Sequence, residues 1–344
     1  MFRPLLSLSI VALALLSLTA CSRSDAIVVI ALHPSNPNIF YVATNDYIYK
    51  TRDGGQNWEN LSRGMSFSRV ISMAIDPAYP ATVYAGTKGD AVYKSYDGGQ
   101  RWISQRNGID SVDVSSVVNQ FVFDPSDNTH LLAATTMGVF ESTDGGDSWK
   151  KRMDGMKEVL MVFALGRDPT RPWILYAGTS GGVYKTMNRA ARWEKVNNGL
   201  VSPDVRSSSR ALGVTALAVD PFQPDTVYAA TLNGLYKSTN AGGQWTRIAE
   251  SLPDQMISAM VLDRAKAAVI YIASRKGVHK SLDGGATWHA IAQGLGSLNI
   301  RSLVQSQVDP NLFYAGTNGS GLYRSQDGGE SWTAIPLRVS ERSV

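Results

Sequence analysis

Ser95-Tyr96-Asp97-Gly98-Gly99-Gln100-Arg101-Trp102 is the stretch on which the reading of this chain turns. It returns as Ser142-Thr143-Asp144-Gly145-Gly146-Asp147-Ser148-Trp149, Ser281-Leu282-Asp283-Gly284-Gly285-Ala286-Thr287-Trp288 and Ser325-Gln326-Asp327-Gly328-Gly329-Glu330-Ser331-Trp332. Another copy opens on Thr51, carries Asp53 and ends at Trp58. Two copies are degenerate: Asn188 and Asn240 stand in place of Asp, and Ala190-Ala191 reads as the replacement of the two glycines in the fourth. The closing tryptophans, Trp58, Trp102, Trp149, Trp193, Trp245, Trp288 and Trp332, are 44, 47, 44, 52, 43 and 44 residues apart. An Asp-Gly-Gly turn lets two successive positions take positive φ, which a tight hairpin needs if its strands are to keep their twist. The carboxylate is expected to accept backbone N–H bonds across the turn, with the preceding Ser or Thr bonded to the same group. The Trp is expected to enter the next strand and pack between repeats.

Working outward, each box is preceded by three short alternating β segments, for example residues 71–75, 83–87 and 91–95, and followed by a fourth. Asp-Pro recurs at Asp76, Asp124, Asp168, Asp220 and Asp309, with His33-Pro34 in the first unit and Asp263-Arg264 in the sixth. Proline lacks a backbone donor and biases its predecessor to extended geometry, so it closes the first strand of each unit. Four strands in roughly 45 residues, seven times over, predict an all-β fold: a single seven-bladed β-propeller of four-stranded blades. Of 14 tyrosines, 11 fall at two equivalent strand positions and are expected in the core.

The repeated phrase resembles the Asp-box, or BNR repeat, of sialidases, two-propeller xyloglucanases, sortilin-type receptors and the photosystem II assembly factor. The resemblance spans residues 26 to about 339. It implies that the boxes lie on outer hairpins, away from ligand chemistry. The strand motif here is Tyr-Ala-Gly-Thr, not the assembly factor's Trp-containing version, so no photosynthetic role is implied. Sortilin-type receptors carry ten blades and a cysteine-rich module that this chain does not have.

Composition agrees with an ordinary folded core: 344 residues, 44% hydrophobic, 18% charged and one Cys exclude disordered, collagen-like and disulfide-stapled classes. With 33 basic against 29 acidic residues and no Lys/Arg-rich run, the net charge of +4 gives no basis for a nucleic-acid partner. Residues 1–20 carry one charge, Arg3, and an apolar run, the pattern of a secretory signal. Leu18-Thr19-Ala20-Cys21 resembles a bacterial lipobox, which implies lipidation at Cys21 and attachment to the cell envelope through the lipid alone. The expected division is therefore a signal peptide over 1–20, a linker over 21–25, the propeller over 26–339 and a tail over 340–344. The four residues Ser22 to Asp25 between Cys21 and Ala26 reach at most about 14 Å, which would hold the face where the first strand begins near the membrane.

Once the repeat has accounted for its own residues, the exceptions carry the function. Loops from each fourth strand to the next first strand, and from second to third strands, share one face around the channel mouth. Its candidates are Tyr47, Phe67, Arg69, Glu158, Asp204, Arg206, Arg210 and Arg301, with Asp204, Arg206 and Arg210 in the longest loop. Arg69, Arg210 and Arg301 lie near first-strand entrances and are placed to gather an anion. A glycosidase needs two carboxyl groups flanking the scissile bond. Glu158 is the glutamate expected on this face, with Asp90, Asp110, Asp113, Asp204 and Asp254 as partners that nothing selects among. The sialidase Phe-Arg-Ile-Pro motif has its nearest match, Phe2-Arg3-Pro4, inside the signal. Trp173, Tyr79 and Phe222 map to the opposite loops. His33, His130, His279 and His289 lack metal-ligand spacing, so no metal or cofactor is expected. The residues therefore point to a non-enzymatic, lipid-anchored platform for a membrane or envelope protein. An envelope glycoside hydrolase or glycan-binding lectin is the alternative.

Overall fold

The computed structural model describes residues 26–65, 69–109, 116–157, 159, 161–200, 212–249, 252 and 256–338. Twenty-eight strands form seven antiparallel four-stranded meanders, and no α-helix occurs among the described residues. In blade 1 the order is β1 (Val29–Leu32), β2 (Phe40–Ala43), β3 (Ile48–Thr51) and β4 (Glu59–Asn60). The first strands of the other blades are β5 (Val70–Ile75), β9 (Val118–Asp124), β13 (Val162–Arg167), β17 (Val214–Val219), β21 (Ile257–Leu262) and β25 (Ile300–Gln305). Each of these inner strands lies against the next, and β25 lies against β1, which closes a ring about an axial channel. Every blade is contiguous in sequence, so blade 7 meets blade 1 through side chains and a few hydrogen bonds.

The box works as its chemistry requires. Ser95 Oγ donates to Asp97 Oδ1 at 2.8 Å and accepts the Gly99 N–H at 2.8 Å, while Arg101 N–H reaches the same Oδ1 at 2.9 Å. In blade 1 the glycines Gly54 and Gly55 take φ of 71° and 96°. In the fourth box, however, the residues with positive φ are Arg189 and Ala190, at 56° and 66°. Arg189-Ala190, not Ala190-Ala191, therefore replaces Gly-Gly; the spacing from Asn188 sets the register. Ala241 likewise holds φ 56° in the fifth box. An L-residue in this left-handed region crowds its own carbonyl, so Ala241→Gly is expected to raise stability by up to about 1 kcal/mol in urea unfolding.

The Asp-Pro register also needs one correction. Asp76, Asp168, Asp220 and Asp263 close their turns by accepting N–H bonds two and three residues on. His33 does so through Nδ1. In blade 7 the residue in this place is Ser306, whose Oγ accepts from Val308 and Asp309 at 3.2 Å each. Asp309 sits three positions later and caps Asn311 instead.

Acid should loosen the boxes. Bonds to the carboxylate from Ser331, Ser325 and backbone N–H groups together outweigh the opposing push from burial and hold Asp327 down to about 2. Burial pushes Asp53 up, but bonds from Asn57, Thr51 and Gln56 together outweigh it and hold it at about 2. A carboxyl group depressed in the folded state contributes stability above its unfolded value near 4 and loses it as pH falls towards 2. Melting temperature is therefore expected to drop across pH 4 to 2. The drop should flatten in a variant with Asn at Asp53, Asp97, Asp144, Asp283 and Asp327, the residue that blades 4 and 5 already carry.

The eleven strand tyrosines are all buried. Five of them, all on second strands, have as partner a lysine that recurs on the third strand. Lys50, Lys94, Lys185, Lys237 and Lys280 lie 4.9–5.6 Å from the ring centres of Tyr41, Tyr84, Tyr176, Tyr228 and Tyr271. Tyr41 Oη and Lys50 Nζ both donate to the Gly98 carbonyl in the next blade's box, at 3.0 and 2.9 Å. This latch uses the carbonyl that the positive-φ turn leaves pointing outward, and a desolvated cation over a ring strengthens it. The box tryptophans lie just before the fourth strands, not inside them, and five donate Nε1–H to a carbonyl of the preceding blade. Trp288 departs: it is half-buried and bonds its own Gly285.

The junction of blades 3 and 4 breaks the pattern. Leu132 and Glu141 occupy the tyrosine and lysine positions, and Arg189 the first box glycine. Glu141 accepts from His130 Nε2 at 2.8 Å and from Arg152. Asp124 pairs with Arg167 at 3.2 Å and lies 3.5 Å from His130 Nδ1 and 3.9 Å from Arg189. Asp124, His130 and Glu141 are all buried. The exceptions to the repeat have been gathered into one charged network.

Candidate functional site

In every blade but the first, the second residue of the inner strand lies at the channel mouth on the face of the β2–β3-type loops. Thr215 Oγ1 and Ser258 Oγ each bond the first carbonyl of the next inner strand, at 3.3 and 2.7 Å, and Asn119 Nδ2 bonds Val162 O at 2.8 Å. Arg301 fills this place in blade 7 and Phe163 in blade 4. Arg301 is the charged member of the ring. Its Nη1 donates to Asn318 Oδ1 at 3.3 Å. Burial lowers its pKa, and Arg69 adds to the effect, so the two guanidinium groups lie close enough to repel. Arg69 donates to Asn45 Oδ1, while its buried Nε has no partner. Among the described residues no carboxylate pairs with either arginine. Two cations held by neutral amides at one rim are suited to an incoming carboxylate, which would accept bidentate bonds.

Tyr47, in the same loop as Asn45, is 47% exposed, with its ring 6.0 Å from Tyr49. The structure thus brings Arg69, Arg301 and Tyr47 to the blade 1 side of the mouth. Cys21, Phe67, Glu158, Asp204, Arg206 and Arg210 lie outside the described residues, as do Asp110, Asp113 and Asp254. Asp90 is buried, paired with Arg106 and bonded by Tyr93 Oη, which leaves it no open edge for acid or base work. Among the described residues no group of three His, Cys, Asp or Glu side chains is placed to hold a metal.

Sequence reasoning missed an apolar recess of about 600 Å³ between blades 4 and 5 on this face. Met161, Phe163, Leu212 and Leu232 line it, with Lys195 at its edge. Met161 and Leu232 are 41% and 44% exposed, well above what core residues show. The signal lay in Phe163, an aromatic where three neighbouring blades carry Asn, Thr or Ser.

The family model of sortilin (neurotensin receptor 3) matches residues 46–168. Seven boxes with their bonds in place on seven closed blades decide the rest. The chain is an Asp-box β-propeller. This propeller is 30% identical over 139 residues to a xyloglucanase from a Paenibacillus species, a match covering 35% of this chain and 12% of that enzyme. It is similar in fold to an ancestral GH74 enzyme, with a TM-score of 0.71, 17% identity, and coverage of 90% of this chain and 46% of that one. It is also similar to YCF48 bound to D1 peptide, with a TM-score of 0.62, 16% identity, and coverage of 88% and 94%. The propeller thus spans less than half of these two enzymes, whereas it spans nearly all of that YCF48 chain.

Proposed function

We propose that this propeller is a non-enzymatic binding platform for a membrane or envelope protein, engaged through the Arg69–Arg301 rim of the channel mouth, on a chain anchored by lipid at Cys21. The carrying observation is that rim: two mutually repelling arginines held by Asn45 and Asn318, beside exposed Tyr47. Such a rim suits an acidic segment or a terminal carboxylate, and a peptide is bound to a structure of similar fold and length. A photo-crosslinking residue at position 47 is expected to capture an envelope protein in intact cells, whereas one at position 79 on the opposite loops is not. Arg69→Glu with Arg301→Glu should abolish that capture while leaving the melting temperature unchanged. Equal capture by the double variant would sink the reading.

The relation to a xyloglucanase favours one alternative, an envelope glycoside hydrolase or glycan-binding lectin. Xyloglucan and fluorogenic sialosides are expected to be left intact. Turnover that disappears in Glu158→Gln would establish the hydrolase instead.

A further inference from the structure

The apolar recess between blades 4 and 5 has an identifiable cause. The residue just before the inner strand is Arg69, Val117, Met161, Gly213, Met256 and Asn299 in blades 2 to 7. Backbone bonds from Lys88 to Arg69, from Ser180 to Met161 and from Leu232 to Gly213, at 2.9, 3.1 and 3.2 Å, fix this register. In that series blade 5 lacks a side chain, and the space it would fill is the recess of about 600 Å³ lined by Met161, Phe163, Leu212 and Leu232. Arg69 stands in blade 2 where Gly213 stands in blade 5, so recess and cationic rim belong to one ring of positions around the same mouth. Apolar surface continues between them. Met256 of blade 6 and Leu298 of blade 7 are both exposed, and Leu298 reaches over Gly277 of blade 6. Blades 4 to 7 thus carry an apolar arc that ends at Arg301 and Arg69.

Seven blades packed about 10 Å apart make a mouth roughly 20 Å across, which about six residues of extended chain span. We infer that the segment bound here is a C-terminal tail with a large apolar side chain about six residues before its end, the carboxylate on Arg69 and Arg301 and the side chain in the recess. The inference rests on the binding role proposed for the rim and adds the chemistry of the partner. Cations at one end of an apolar arc match a segment whose negative charge is also at one end, and a terminal carboxylate provides that without an acidic side chain along the strip. A large side chain seated in a pocket beside a charged anchor is the arrangement that concentrates binding energy in a few residues.

Panning the full chain against a display library of random octapeptides with free C-termini, followed by anisotropy titration of a selected peptide, tests the assignment. Selected peptides are expected to carry Leu, Met, Phe or Trp about six residues before the terminus. Gly213→Met gives blade 5 the residue of blades 4 and 6 and fills the recess. It should weaken a selected peptide about ten- to a hundredfold, the worth of one buried apolar side chain, and change the same peptide with Ala at the apolar position less than about twofold. Arg69→Gln with Arg301→Gln should remove the preference for the free acid over the C-terminal amide. If the free acid is preferred but Gly213→Met weakens the apolar and alanine peptides alike, the rim reading survives and this inference fails. If acid and amide bind equally, or no peptide is selected, both fail. A Gly213→Met effect confined to self-association, or to binding of phosphatidylglycerol vesicles, would assign the recess to a second copy or to lipid and overturn the inference.

Discussion

Glu141→Ala is expected to destabilise the propeller by about 3–5 kcal/mol, well beyond an ordinary surface charge deletion, because it strands the Arg152 guanidinium and the His130 ring at a buried junction. Glu141 is 7% exposed and holds His130 and Arg152 at once. Burial pushes its carboxyl pKa up, and the His130 and Arg152 bonds together more than offset that push. Without it, His130 keeps only the 3.5 Å approach to Asp124, and Arg152 loses its acceptor. Guanidinium unfolding of the variant measures the loss. A rebuilt junction separates charge removal from generic damage. His130→Thr, Leu132→Tyr, Glu141→Lys and Arg189→Gly together restore the residues of blade 2 and its neighbour, where Tyr84 Oη donates to the Gly145 carbonyl at 2.6 Å and Lys94 lies over the ring. That fourfold variant should recover most of the stability lost in Glu141→Ala. If Glu141→Ala costs under about 1 kcal/mol, the network is not holding blades 3 and 4 together.

What could be read from the residues follows from how far apart the partners lie. Box turns close within eight residues, so their bonds and the positive φ at Gly54 and Gly55 were foreseeable from local chemistry. The same holds for the buried tyrosines, fixed by strand alternation. Errors of register arose where a substitution removed the marker: without glycines the fourth box reads one residue late, and in blade 7 a Pro310 belonging to a later turn mimics the Asp-Pro signal. Asp124 was not legible as the partner of Arg167, because only the packing of blade 3 on blade 4 brings together two residues 43 positions apart. Arg69 and Arg301 were candidates individually, but their mutual approach depends on ring closure, which places blades 7 and 2 on either side of blade 1. The recess beside Phe163 depends on which inner-strand positions face the channel, and that is set by packing, not by local pattern.

Ring closure itself supplies the second large effect. Phe40, fully buried, packs on Tyr314 of blade 7 at 4.5 Å and on Trp58 at 5.3 Å. Trp58 Nε1–H in turn bonds Pro336 O at 3.1 Å, and Ile27 N–H bonds Thr317 O at 3.0 Å. Phe40→Ala is expected to lower stability by about 3–5 kcal/mol from lost burial and the cavity left behind. Phe313 occupies the equivalent position in blade 7 and packs on Tyr271 at the same 4.5 Å. Phe313→Ala should therefore cost a similar amount of packing, yet its junction is also held by chain continuity from blade 6. At the blade 7–blade 1 junction the chain does not run from one sheet into the other, so loosening there can open the ring without unfolding either blade. Hydrogen exchange is expected to report this difference: in Phe40→Ala, amides of β1 and of β25 should exchange through a partial opening well below the global unfolding free energy, whereas in Phe313→Ala they should follow global unfolding. Identical exchange patterns in the two variants would mean that side-chain packing closes this ring as firmly as the backbone joins its other blades.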